Sequence, residues 1–406
     1  MSKENKHALS GAEGLIPEMR FPEFANEAEW KLERLGNLAN TTIGEFVIKT
    51  KQHPDSLYPV YNGGKSYTGF YDEYNNEENK IVISARGANA GFVNLVKQKY
   101  WAGNSCYSVG VLDPNRIDLD LLFYYVKHNQ RRFTDNQQAA NIPSVSKGDV
   151  EKFQICFPDN PQEQQKIASC LSSLDELIAA HNDKLDALKD HKKGLLQNLF
   201  PQEGETVPKL RFPDFERDGE WVEDDIGSIF KFKQGVQVPV GNQFPEQGDD
   251  MVRFIRIIDI TSNTEPPRYI ENPGDAHIIN KDDLFMIRYG TPGLISIGFE
   301  GVIANNLFRL IWKSKKRNHP KYWFYAFQRL ESFIYNLSSS SSMPAISFST
   351  LEDLKIGFPP TIHEQQKIAS CLSAVDELIT AQQEKIEQLQ QHKKGLMQGL
   401  FPKIES

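Results

Sequence analysis

Two glycine-rich stretches each carry an arginine, Arg86 ahead of Gly87 and Arg288 ahead of Tyr289-Gly290. An arginine fork matches guanine O6 and N7, and the amide of Asn or Gln matches adenine N6 and N7. Side chains able to join that chemistry lie nearby: Asn62, Lys65, Tyr67, Asn89 and Asn104 about the first arginine, and Arg256, Thr291, Asn305 and Asn306 about the second. A basic cluster of Lys313, Lys315, Lys316, Arg317 and Lys321 suits phosphate oxygens, which position a protein on nucleic acid without specifying sequence. Any one of these residues is equally compatible with an ordinary solvated turn.

Catalytic chemistry finds less to rest on. Gly63-Gly64-Lys65-Ser66 resembles the end of a phosphate-binding loop, but Pro59 stands where that loop needs its first glycine, and no helix pattern follows. No dinucleotide-binding glycine pattern opens a strand–helix unit, and His53, His128, His277 and His319 lack metal-ligand spacing. Cys106, Cys156, Cys170 and Cys371 are scattered without a C-x-x-C, as suits a reducing cytosol. No catalytic residue and no metal site is expected, and a metal-dependent nuclease is discounted for want of a carboxylate constellation.

Short strands must position these loops: Lys80–Ala85 and Tyr107–Leu112 in the first half, Val252–Ile260, Leu284–Arg288, Leu294–Phe299 and Leu307–Trp312 in the second. Helices are expected at Leu119–Arg132 and His319–Leu337.

The chain repeats itself. Pro17–Phe24 (PEMRFPEF) returns as Pro208–Phe215 (PKLRFPDF), and Glu29-Trp30 as Glu220-Trp221, at an offset of 191. Residues 163–201 return as 364–402 with 26 identities in 39 positions. Between these words the halves diverge, with a thin trace: Arg86 and Gly91 align with Arg288 and Gly293 at offset 202, and Pro143 with Pro344 at 201. A shared fold is expected.

The repeated segments read as long helices. Ile167, Leu171, Leu174, Ile178, His181, Leu185 and Leu188 follow a 4-3 spacing that continues through Lys192, Leu195 and Leu199. Ile368, Leu372, Val375, Ile379, Gln382, Ile386 and Leu389 repeat it, continuing through Lys393, Leu396 and Leu400. Sustained 3.5-residue periodicity marks a coiled-coil seam, and at ~1.5 Å per residue such a helix runs roughly 50 Å. Asn160 with Glu163, and Thr361 with Glu364, read as capping boxes. The simplest partner for each helix is the other copy, antiparallel, which brings His181 and Gln382 into neighbouring layers. The expected fold is α+β: two globular α+β domains separated by two long antiparallel coiled-coil helices in a pseudo-twofold internal repeat. The divisions are 1–159 (lead-in and first domain), 160–201 (central helix), 202–229 (acidic linker and lead-in), 230–360 (second domain) and 361–406 (C-terminal helix and tail).

The chain of 406 residues carries 46 basic and 54 acidic side chains, net −8. The excess acid sits at 1–39 and 202–229, net −2 and −6, while 40–159 is neutral and 230–362 is +2. The overall charge therefore neither excludes nor predicts nucleic-acid binding by the variable segments. No run of 18 apolar residues and no secretory leader is visible, so a cytoplasmic protein without a membrane span is expected.

Variable segment, near-invariant helix, variable segment, near-invariant helix: this architecture resembles the specificity subunit of type I restriction-modification enzymes, the HsdS family. The resemblance covers nearly the whole chain. It rests also on FPDNPQEQQKIASCLSSLDELI and PPTIHEQQKIASCLSAVDELI, each closing a segment with Ile142-Pro143 or Met343-Pro344, and on the doubled RFPEF and RFPDF lead-ins. It implies that each variable domain is a target-recognition domain reading one half of a split site in double-stranded DNA. The helices would set the gap and dock modification (methyltransferase) subunits. Partners would hold S-adenosylmethionine, transfer methyl to adenine N6, and, in a restriction/translocase subunit, use ATP and Mg; no cofactor is expected in this chain. The alternative is a coiled-coil scaffold joining two protein- or ligand-binding domains without DNA recognition.

Overall fold

The structure, a computed structural model, describes residues 15–134, 143–314, 316–338 and 344–403. Lys315, Ile142 and Met343 lie outside the described residues. The chain divides into two compact units, one running to Asn182 and resuming at Glu384, the other Asp183–Gln383.

The first unit contains β1 (Lys31–Arg34), α1 (Leu35–Leu38), β2 (Ala39–Ile43), β3 (Tyr58–Tyr61), β4 (Gly69–Tyr71), β5 (Lys80–Ser84), β6 (Val93–Val96), β7 (Trp101–Ala102), β8 (Cys106–Val111), α2 (Leu119–His128), α3 (Lys147–Lys152), β9 (Gln154–Phe157) and the first half of α4 (Pro161–Asn198). Its main sheet is antiparallel in the order β2-β8-β5-β6 and stands beside a sheet β4-β3-β7 and a ribbon β1-β9. β5 shows why the order works. Ile81 and Ile83 enter the core against α2, and Val82 enters a second core with Val96, Tyr100 and Ala102, so the strand is buried on both faces, as its β-branched run requires. α2 starts where Asp118 accepts from Leu121 N at 2.8 Å, an N-cap. It ends at His128 and tightens into a 3-10 turn at Gln130–Phe133, earlier than the expected Arg132.

The second unit contains β10 (Val222–Asp225), α5 (Ile226–Ile229), β11 (Phe230–Gln234), β12 (Met251–Ile255), α6 (Ile257–Thr261), β13 (Arg268–Glu271), β14 (Ile278–Ile279), β15 (Leu284–Ile287), β16 (Ile295–Ser296), β17 (Gly301–Ile303), β18 (Leu307–Trp312), α7 (Pro320–Asn336), α8 (Phe348–Glu352), β19 (Lys355–Phe358) and the first half of α9 (Ile362–Leu400). Its sheets run β11-β18-β15-β16, β13-β12-β17-β14 and β10-β19. The topology of the first unit recurs strand for strand, with β14 and α6 added, so the shared fold holds. Three expectations change. The Val252–Ile260 strand stops at Ile255 and turns into α6, because Asp259 accepts from Arg256 N at 2.7 Å and opens a helix. Only Ile295–Ser296 of Leu294–Phe299 is strand. The acidic stretch 202–229 is no free linker: Trp221 is buried and β10 pairs with β19.

Both long helices form, 38 and 39 residues long. The capping boxes do not. Asn160 Oδ1 does accept from Gln162 N at 2.9 Å, but Glu163 turns inward. It takes Arg20 Nε at 2.7 Å, Arg20 Nη2 at 2.8 Å and Trp30 Nε1 at 3.3 Å. Glu364 does the same with Arg211, at 2.8 Å twice, and with Trp221 at 3.2 Å, while Thr361 Oγ1 meets no hydrogen-bond partner. The repeated Arg and Trp of each lead-in are therefore the partners of the repeated Glu. The next residue is equally occupied: Gln164 bonds Asp118 N, Arg116 O and Pro158 O, and Gln365 bonds His319 N, Arg317 O and Pro359 O.

The seam positions are buried or half-buried along both helices, Gln382 and Leu185 among the buried, His181, Leu174, Ile178, Leu188 and Ile379 among the half-buried. Within the first unit Ile167, Ala168 and Leu171 share a core with Met397, Leu400 and Phe401. Within the second, Leu199 and Phe200 share one with Ile368, Ala369 and Leu372. The start of each helix thus lies against the end of the other: the pair is antiparallel. The lysines that interrupt the apolar seam have a use. Lys192 Nζ lies 2.7 Å from Asp376 of the facing helix, and Lys393 pairs with Asp175. Each aspartate also accepts from a domain tyrosine, Asp175 from Tyr124 at 2.8 Å and Asp376 from Tyr325 at 2.7 Å.

Candidate nucleic-acid interface

In the first unit, the ends of β3, β5 and β7–β8 bring three loops together. Ser84 Oγ donates to Gly64 O at 3.0 Å, Gly63 N to Cys106 Sγ at 3.0 Å, and Ala85 N to Ser105 O at 2.8 Å. Asn62, Lys65, Tyr67, Arg86, Asn89 and Asn104 are carried on these loops. Lys65, Tyr67, Arg86 and Asn104 are exposed, and Asn89 is half-buried. Asn62 is partly spent as a brace: its Oδ1 accepts from Ser105 N at 3.3 Å. The Gly-rich loop turns at Gly87 (φ 83°) and Gly91 (φ 80°), a region that favours glycine. Gly87 N is tied to Pro143 O at 3.1 Å.

The second unit uses the same frame with different tips. Here the alignment of Arg86 with Arg288 fails. Arg86 bridges Ser144, and the residue bridging Ala345 is Tyr289. Ala85 O accepts from Val145 N, and Arg288 O from Ile346 N. Arg288 therefore occupies the place of the buried Ala85, because the second loop is one residue shorter. Its guanidinium stacks 4.4 Å from the Phe348 ring centroid and bonds Gln234 and Ile346 O. It braces the loop rather than presenting an open fork. Arg256 is likewise consumed, by Asp259, by Glu265 at 2.9 Å and by Pro266 O, which hold its guanidinium charged and its donors occupied. Thr291 and Asn305 are exposed. Asn306 Oδ1 is buried and meets no partner.

The phosphate candidates do not join these loops. Asn305 and Asn306 precede β18, whereas Lys313, Lys316, Arg317 and Lys321 follow it, all exposed. The six-residue strand between them spans roughly 20 Å. The far end of the strand instead contacts the start of α9, where Gln365 takes Arg317 O and His319 N.

One exposed residue on the loop surface escaped the sequence reading. Phe46 follows Glu45, which bridges Gly103 beside Asn104. Composition does not flag a lone phenylalanine; only the register of Glu45 on Gly103 places it.

Among the described residues no group of three or more His, Cys, Asp or Glu could hold a metal ion. Burial pushes the Cys106 thiol to about 11 and Cys156 to about 12, so neither is an activated nucleophile. No described helix is long and apolar enough to cross a membrane.

Comparison with known proteins completes the picture. The family model for the type I restriction modification DNA specificity domain matches twice, at residues 27–190 and 218–391. A putative type I specificity subunit of Mycoplasma pneumoniae is 23% identical over 93% of this chain and 97% of its own. The MjaVIII type I restriction enzyme specificity subunit of Methanocaldococcus jannaschii is 26% identical over 94% and 93%. A crystal structure of a type I restriction-modification S subunit from M. genitalium superposes with a TM-score of 0.66 at 19% identity, covering 96% of this chain and all of that one.

Proposed function

We infer, because this chain belongs to the type I restriction-modification DNA specificity family, that each of its two units reads one half of an asymmetric, bipartite duplex site. The observation that carries this is one frame with two sets of tips. Asn62 and Arg256 leave equivalent strands, and Arg86 and Tyr289 make equivalent bridges. Readers alike in topology and unlike in side chain bind different base sequences.

The helices carry the complementary argument. Their residues recur because both copies meet like partners. Met19 and Leu210, and Leu177 and Leu378, are apolar and exposed at repeat-equivalent positions. Apolar side chains exposed at equivalent positions of both repeats suit two copies of one modification subunit. Those subunits would bind S-adenosylmethionine and methylate adenine, and a restriction subunit would use ATP and Mg. This chain supplies recognition rather than catalysis. The scaffold reading without DNA is disfavoured by the family itself.

Mapping methylated adenines in DNA exposed to the assembled enzyme tests the reading. A two-part motif with a fixed spacer is expected. A continuous palindrome, or DNA binding insensitive to salt, would overturn it.

A further inference from the structure

Resting on that reading, we propose that Phe46 is a stacking wedge, a side chain that inserts against a base step in the half-site read by the first unit, with no counterpart in the second. Phe46 is 72% exposed, the most exposed aromatic side chain among the described residues. Exposure alone would fit a loose loop, but the backbone is clamped on both sides. Ahead of it, a Cβ on Gly44 would meet both Ala102 O and Gly103 O at 2.3 Å, so only glycine fits. Gly44 N donates to Cys106 O at 3.1 Å and Glu45 N to Ala102 O at 2.8 Å. Behind it, Val47 is buried with Val60, Tyr71 and Trp101. The Tyr71 hydroxyl accepts from Ile48 N at 2.6 Å and donates to Ile48 O at 2.8 Å. A ring held out on a fixed loop loses little further freedom on binding.

Its surroundings point to a base step. The parallel bridge of Glu45 with Gly103 sets Phe46 alongside Asn104, on the loop surface that also carries Asn62 and Arg86. Hydrogen-bonding and charged neighbours match the base edges and phosphates of a duplex. The Glu45 carboxylate disfavours a phosphate there and suits a cytosine amine. Ile48 and Leu57 on the same segment are exposed as well, and Phe, Leu and Ile are the side chains that DNA-bending proteins insert between base steps.

The second unit has the same clamp and no ring. A Cβ on Gly235 would lie 2.2 Å from Ala304 O, and Val236 bridges Ala304. The next residue is Gln237, exposed and polar. Distortion of the duplex is therefore one-sided.

The test uses the full chain in its assembled complex and duplexes that it selects from a randomised pool, with 2-aminopurine placed step by step across each half-site. Apart from the target adenines that the methyltransferase subunits would themselves flip out of the stack, wild-type protein should raise the fluorescence at one further step, in one half-site only. Phe46→Ala should abolish that rise and weaken binding roughly 10-fold, in the range for loss of one base-stacking aromatic, and Phe46→Trp should restore both. Unchanged affinity and fluorescence in Phe46→Ala would overturn the wedge. So would loss of subunit assembly with DNA contacts intact, which would make the ring a protein contact. If the wild-type complex selects no duplex, the recognition reading itself fails, a different result from a silent substitution.

Discussion

Glu163 and Arg20, 143 residues apart, form a two-pronged ion pair at 2.7 and 2.8 Å in which the guanidinium is 8% exposed and the carboxylate fully enclosed. Arg211 and Glu364 repeat it. Breaking one partner of such a pair leaves a buried charge unmatched, at about 3–5 kcal/mol. Glu163→Ala or Arg20→Ala should lower thermal stability accordingly, while Arg20→Met with Glu163→Leu should cost less than either single change. A thermal shift series reads this, and near-neutral single substitutions would show that the lead-in is not docked.

Arg86 and Arg288 should part company. Arg86→Ala should relax base preference at one half-site by about 1–3 kcal/mol with stability unchanged, since its side chain is exposed. Arg288→Ala should destabilise the second unit, because it removes the stack on Phe348 and the bonds to Gln234 and Ile346. Selection from randomised duplexes, paired with melting curves, separates the two.

Lys127 makes stability depend on alkaline pH. Burial, with Lys393 nearby and Asp175 opposing, lowers its pKa from 10.5 to about 8. Its Nζ also bonds Val93 O at 2.7 Å. The folded state releases this proton before the unfolded state does, so the unfolded state binds more protons between about 8 and 10.5. Stability should therefore rise with pH through that window, the penalty being fully present below it. Lys127→Met should flatten the slope in urea titrations across the window; an unaltered slope would assign it elsewhere.

The basic cluster should matter less than its charge suggests. Lys316→Ala with Arg317→Ala should leave base preference and the salt dependence of DNA binding nearly unchanged, because the cluster sits across β18 from the loops. A slope reduced by about one per removed contact would bring the duplex to that end of the domain.

Much of this was legible in the sequence, for identifiable reasons. The helices were, because a 3.5-residue seam repeated twice leaves few alternatives. β18 matched residue for residue, as a short run of Leu, Phe, Ile and Trp broken only by Arg309 does. The role of Glu163 was not, since a Glu three residues after Asn160 satisfies a capping pattern as well as a buried pair. The signal was present: Arg20 and Trp30 recur with it as Arg211 and Trp221. The loop residues were least legible. Equal spacing put Arg86 opposite Arg288, but one residue fewer in the second loop moved Arg288 into the place of Ala85, and only backbone pairing reveals that shift.

Each unit should read its own half-site, independently of the other. Residues 40–158 can be exchanged for the equivalent segment of another specificity subunit, and methylated adenines mapped in DNA exposed to the assembled enzyme. A new sequence is expected in one half of the motif, with the other half retained. Change in both halves, or in neither, would contradict it.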